Sequence, residues 1–180
     1  MPGKSFAESL KFIINHELNK NRPCSTHLGP PLTKEKITEI MLPLLSSIHM
    51  GLHEDILKLY KTTDGINMDV SQLAFKEIWL LPGYYLMSLE EAVETYNTMV
   101  ESAKSDGQDW DNSWFPFLSS GAGDFYFINM SDGTVNEFIR GEDVDDEAKF
   151  ENMADFFQQA VQHFEDGDFY MDEEGQLQEN

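Results

Sequence analysis

The apolar positions at the start of the chain recur at helical spacing. Phe6, Leu10, Ile13 and Ile14 fall on one face, and Ser5 with Glu8 has the form of a capping box, so a first helix is predicted to run to about Leu18. Residues 19–31, NKNRPCSTHLGPP, are polar and rich in breakers and read as a loop. From Thr33 the helical period returns with Ile37, Ile40, Met41, Leu44, Leu45 and Ile48; Pro43, which lacks an amide donor, is expected to kink or divide that element. Leu52, Ile56, Leu59 and Tyr60 share a face of the next segment, which Gly65 is expected to close as a left-handed cap. Two short helices before residue 65 fit this pattern better than one long one.

The period then changes. Residues 78–88, IWLLPGYYLMS, are bulky and apolar and broken by Pro82-Gly83, which predicts two strands or one strand with a sharp bend. Ser88 and Glu91 form a second capping box, and Leu89, Ala92, Val93, Tyr96, Met99, Val100 and Ala103 make the best amphipathic helix in the chain, ending near KSDGQDWDN. WFPFLSS, DFYFINM and TVNEFIR read as adjacent antiparallel strands, the last two joined by a hairpin at Ser131-Asp132-Gly133. An acidic loop follows. Asn152 and Asp155 then cap a last helix with Met153, Phe156, Phe157, Ala160, Val161 and Phe164 on the face that would cover the sheet. The tail carries Phe169, Tyr170 and Met171 among many acids and is expected to dock briefly and fray. Helices first, then strands with one helix inserted, then a closing helix make a single α+β domain without internal repeats.

Charge narrows the partners. The 180 residues carry a formal net charge of −21, which repels phosphate backbones and anionic lipid, so neither nucleic acid nor membrane is an expected partner. Such a surface speeds the capture of a basic protein, or else serves solubility alone. The single cysteine, Cys24, cannot form an internal disulfide and suits a reducing compartment; a catalytic thiol there would need a base that the sequence does not show. The N-terminus lacks the basic start and apolar run of a secretory signal, and no stretch has the apolar length of a membrane span. A cytoplasmic location is the expectation.

Candidate chemistry is sparse. Gly121-Ala-Gly-Asp124 has the glycines of a phosphate loop, but an aspartate and an aromatic strand follow where such a loop needs a helix and usually a lysine. A tight backbone crossing is the better reading, with Asp124 accepting amides of its own turn or anchoring a basic residue of a partner. His49 and His53, four apart, could share a helix face as metal ligands, but Gly51 lies between them and no third ligand is evident. DGQDWDN lacks the alternation of a calcium loop and its closing glutamate. The acids at 142–147 and 172–174 read as solvated charge that could also dock a basic partner. No nucleophile elbow or Ser/His/Asp spacing emerges. No catalytic residue, metal or cofactor is expected.

LHEDILKLYKTTDGI, YYLMSLEEAVETY, WFPFLSSGAGDFYFIN, DGTV and ENMADFFQQAVQHF, taken in that order, resemble the SUKH superfamily of the yeast cell-wall-assembly-regulator type. Its tryptophan–proline strand followed by glycine and glycine–aspartate falls on Trp114, Pro116, Gly121, Gly123 and Asp124, and its helix-closing turn on Asp64 and Gly65. Leu52-His53 stands where the family has leucine–proline.

The resemblance implies a SUKH-like domain over 33–165, preceded by an N-terminal helix and loop at 1–32 and followed by an acidic tail at 166–180. It implies a mixed, mainly antiparallel sheet flanked by helices and a non-enzymatic protein-binding module. Bacterial domains of this kind are similar to immunity proteins that occlude toxins, often nucleases or nucleobase deaminases; fungal ones resemble regulators of cell-wall signalling. The expected function is therefore toxin neutralisation, with a regulatory adaptor as the alternative and, from another class, a hydrolase or ligand-binding enzyme. Trp114, Pro116, Asp124, Glu142, Asp143, Asp145 and Asp146 are the candidate contacts for a basic toxin domain; Asp64, Gly65, Gly121 and Gly123 are the structural positions. The oligomeric state stays open.

Overall fold

The computed structural model describes residues 5–66 and 73–180. Its elements follow in the order α1 (Phe6–Asn15), α2 (Pro23–Thr26), α3 (Lys34–Ile48), α4 (Glu54–Thr62), α5 (Phe75–Ile78), β1 (Tyr85–Leu86), α6 (Leu89–Asp106), β2 (Trp114–Ser119), β3 (Phe125–Asn129), β4 (Val135–Phe138), α7 (Met153–Asp166), β5 (Phe169–Met171) and β6 (Leu177–Glu179). One antiparallel sheet has the order β1-β2-β3-β4, and β5 and β6 form a separate hairpin. Ile66 adds one parallel bridge to Met87, just past β1. The architecture is the expected α+β fold.

Antiparallel pairing places Phe125, Phe127 and Phe138 on one face of the sheet and Tyr126 and Glu137 on the other. Trp110 packs on the first face, within ring contact of Phe125, Phe127, Phe138 and Trp114. On the second, Phe156 of α7 meets Tyr126 and Phe117. Phe117 falls at the register shift between Pro116 and Leu118, where a proline has no ladder donor to give. Beyond α7 lies α1, with Phe6 edge-on to Phe157 at 5.2 Å and His16 against Phe164 at 4.8 Å. Leu10, Ile13 and Cys24 are fully buried in the same core as the sheet. Asn19 ties this N-terminal part to the centre, its side-chain amide donating to the carbonyls of Ile13 (3.0 Å) and Leu80 (3.1 Å).

Several elements depart from the sequence reading, each for a local reason. α1 ends at Asn15, three residues short of the expected Leu18, and the capping box at Ser5 and Glu8 is complete. The 19–31 loop contains the short helix α2, begun by Pro23 at a position where a missing amide is harmless. α3 runs unbroken through Pro43, because Pro43 and Glu39, whose carbonyl loses its donor, are both exposed and water can take the bond. It ends at His49, a left-handed residue with φ 54°.

Gly65 is not the cap of α4. That helix stops at Thr62 with Thr63 extended, and Gly65 (φ 74°) serves instead as a crossing, where a Cβ would run into the carbonyl of Met87. The Pro82-Gly83 break is a tight turn bridging Leu81 and Tyr84, so one short strand follows it. The four-residue helix α5 was not expected. The tail is an ordered hairpin with Phe169 and Leu177 buried, where fraying was expected.

Two glycines with nearly equal φ separate close approach from backbone strain. Gly65→Ala should lower unfolding stability by about 3 kcal/mol or more, whereas Gly83→Ala, at φ 78° with nothing within 4 Å, should cost about 1 kcal/mol. Urea unfolding of the two variants checks the difference.

Candidate functional site

Asp64 and Gly65 form a junction rather than a surface site. Asp64 Oδ1 accepts the Leu89 amide at 3.0 Å, capping the start of α6, while Ser88 Oγ accepts the Glu91 amide at 3.3 Å. Gly29 closes against the same turn: its amide donates to the Gly65 carbonyl at 2.6 Å and its carbonyl accepts from Thr63 Oγ1 at 2.9 Å. Burial raises the Asp64 carboxyl above its usual range; the Leu89 amide opposes the shift and the charge of Glu90 adds to it.

A second constellation lies at one end of the sheet, where Tyr85, Ser119, Phe125 and Phe138 finish or begin their strands. The loop Gly121–Asp124 crosses there. Gly121 (φ 81°) lies under the ring of Phe75, with which a Cβ would collide, and Gly123 (φ 105°) lies beside the Arg140 side chain. Asp124 clasps the loop: Oδ2 accepts from Ser120 Oγ at 3.1 Å and Oδ1 from the Arg140 amide at 3.0 Å. The glycines thus answer to steric need.

Beyond Arg140 the acidic segment runs as a strap along the outer edge of β4. Asn136 donates to the Asp145 carbonyl at 3.1 Å, the Val144 amide reaches Asp109 Oδ2 at 3.2 Å, and Phe150 pairs with Val135. Glu142, Asp143, Asp145 and Asp146 all point to solvent from this held backbone. Phe75, against Gly121, and Ile139, one residue before Arg140, are 42% and 37% exposed. Of the other candidates, Trp114 is half-buried, stacked on Phe127 at 4.5 Å, and Pro116 is buried. The structure therefore brings Asp124 and the acidic strap together and leaves Trp114 at the far end of β2 and β3.

A third feature was not anticipated. Tyr84, Tyr126, Phe150 and Phe156, with Pro82, Gln159, His163, Phe169 and Glu179, line a cleft of about 170 Å³ between the Pro82 turn, β3, α7 and the C-terminal hairpin. Tyr84 donates to Glu137 Oε1 at 2.7 Å, and Glu137 also pairs with Lys149. In the sequence these aromatics are indistinguishable from core.

Other expectations concern isolated groups. His49 ends α3 and His53 caps α4, its Nδ1 accepting the Asp55 amide at 3.2 Å, so the two share no helix face. This cap also starts α4 at Glu54 without the family's leucine–proline. Among the described residues no three His, Cys, Asp or Glu side chains gather as metal ligands, and no helix is long and apolar enough to cross a membrane. Cys24 is buried with Sγ 3.7 Å from Asn19 Oδ1, and burial pushes its thiol up to about 11.

The fold and its clasped loops define a single α+β domain of helices packed on an antiparallel sheet. The chain matches the SMI1/KNR4 family (SUKH-1) over residues 31–159, more than two thirds of its length, and belongs to that family. The family is generally non-enzymatic and points to protein–protein interaction. No individually characterised protein matches the chain at a significant level.

Two measurements test these placements. A raised carboxyl pKa means that the folded chain holds the Asp64 proton more tightly than the unfolded chain, whose ordinary value is 3.8. Ionisation of Asp64 therefore weakens the fold as pH rises from that value through the folded one. Asp64→Asn, which keeps the acceptor without the charge, should flatten this part of the stability curve, and Asp64→Ala should lose about 1–2 kcal/mol at pH 7. For Cys24, the native chain at pH 8 should react with a disulfide reagent at least about 100-fold more slowly than the urea-unfolded chain, since thiolate and access are both suppressed.

Proposed function

We propose that the protein is an immunity protein that binds a toxin of nuclease or nucleobase deaminase type and occludes its basic substrate cleft. The observation that carries this reading is the acidic strap, a row of exposed carboxylates on a backbone held by Asn136 and Asp109; exposed Ile139 precedes it in the chain, and exposed Phe75 lies on the glycine loop that Asp124 clasps to Arg140. A net charge of −21 steers a basic partner toward this chain, and a fixed strap presents its charges without paying to order them at encounter. Burial of Phe75 and Ile139 then slows dissociation, as apolar centres do in protein interfaces. Glu142, Asp143, Asp145 and Asp146 make the electrostatic contact in this reading. Asp124 acts as the clasp that fixes the glycine loop, and Trp114 lies outside the contact. Membership of a family that works through protein interaction supports the general class.

Capture of partners from the native host on tagged protein, at low and moderate salt, should return one stoichiometric protein carrying a toxin domain whose activity the captured complex lacks. Several substoichiometric signalling proteins would replace this reading with the adaptor. With the toxin in hand, Lys at positions 142, 143, 145 and 146 should slow association about tenfold or more at low salt, with a smaller effect at high salt. An unchanged rate removes the steering role of the strap.

A further inference from the structure

The cleft described above is selective in size and in charge. At about 170 Å³ it falls below the roughly 300 Å³ at which pockets begin to hold drug-sized ligands and has the size for a single side chain. Two phenol rings form its floor, Tyr84 and Tyr126, with centroids 4.8 Å apart, and Phe156 stands 5.0 Å from Tyr126. Both hydroxyls are held protonated above their ordinary range, first by burial and then by Glu137, with Glu179 adding to the effect at Tyr126.

The ionisable groups around the mouth are Glu137, Lys149, His163, Asp168 and Glu179. Glu137 is engaged by Tyr84 and Lys149, and His163 Nδ1 lies 2.9 Å from Asp168 Oδ2. Glu179 Oε1, at 3.9 Å from His163, is beyond hydrogen-bond reach of it and exposed. An aromatic floor under a carboxylate mouth suits a guanidinium, whose planar face stacks on a phenol while its edge forks onto a carboxylate. Lysine offers a point charge to the same site, and an apolar side chain leaves the carboxylate without an answer.

We propose that this cleft is the anchor site for one arginine side chain of the partner protein, with one phenol of the edge-to-face Tyr84–Tyr126 pair under the face of the guanidinium and Glu179 at its edge. The inference rests on the partner-binding reading above and names a second contact for it. Lys149 and Phe150 follow directly on the acidic strap, and Phe150 lines the cleft, so one basic partner surface can meet both.

The test uses the full chain and small probes in place of the partner. In an NMR titration at constant ionic strength, N-acetyl-arginine amide should shift the Tyr84, Tyr126 and Gln159 side-chain resonances saturably, with an affinity on the order of millimolar. N-acetyl-lysine amide should bind at least about threefold more weakly and N-acetyl-norleucine amide should leave these resonances in place. Glu179→Gln, an exposed change, should weaken the arginine probe about threefold or more. Equal shifts from all three probes, shifts confined to residues 142–147, or an unaltered titration for Glu179→Gln would overturn the proposal. The probes separate this site from the function assigned above. Capture of an adaptor partner leaves a positive titration standing, whereas a captured toxin bound equally well by parent, Glu179→Gln and Tyr84→Ala overturns the cleft alone.

Discussion

At Gly65 two backbones cross with no room for a side chain between them, and three elements take their positions from that crossing. The Ile66 amide reaches the Leu86 carbonyl at 2.8 Å and the Ser88 amide returns to Ile66, which joins the end of α4 to the sheet at β1. Asp64, one residue earlier, sets the start of α6 through the Leu89 amide. Gly29, pressed to within 2.9 Å of the Asp64 Cβ for any side chain of its own, closes the N-terminal loop over the same point. Since Met87 in turn donates to Phe117 of β2, the helical half and the sheet are registered to one another through a few adjacent peptides. A wider residue at 65 would move these partners together rather than singly.

The sheet end is built on the same logic of close approach and clasp. Gly121 lies against Phe75, and Asp124 holds β4's exit through the Arg140 amide, so the loop has little freedom of its own. The acidic strap leaves the sheet at this clasp and is caught again by Asn136 and by the Phe150 bridge. Its charges are thereby displayed at fixed spacing, and the edge of β4, an open template for pairing in a bare sheet, is covered.

Much of this frame was legible in the chain because the governing signals are local. The box at Ser5, the caps at Ser88 and Asn152 and the Asp132-Gly133 turn each act within four residues and appear where their residues stand, although at Ser88 only half of the expected box forms, because its amide donates to the Ile66 carbonyl. The glycine motif was legible as a crossing since a phosphate loop would need other neighbours. The departures arise where a distant contact decides. Whether Pro43 breaks a helix depends on which side faces water, and whether Gly65 caps or crosses depends on Met87, some twenty residues on. The hairpin at the C-terminus was hidden by its acids: Phe169 and Leu177 flank a turn whose Gly175 is left-handed, but carboxylates between them resemble a solvated tail. The cleft was illegible for a related reason. In YYLM and FYFI every position is aromatic or bulky, so no alternation marks which ring faces a cavity.

The far wall of that cleft lies beyond the stretch that the family match covers. The family pattern ends at residue 159, while Ala160, His163, Phe169 and Glu179, which complete the cleft, come after it. The floor of the cleft thus falls inside the matched stretch and its far wall outside it. Replacing the hairpin after Gly167 by another would alter that wall of the cleft while the sheet, the crossing at Gly65 and the strap kept their places.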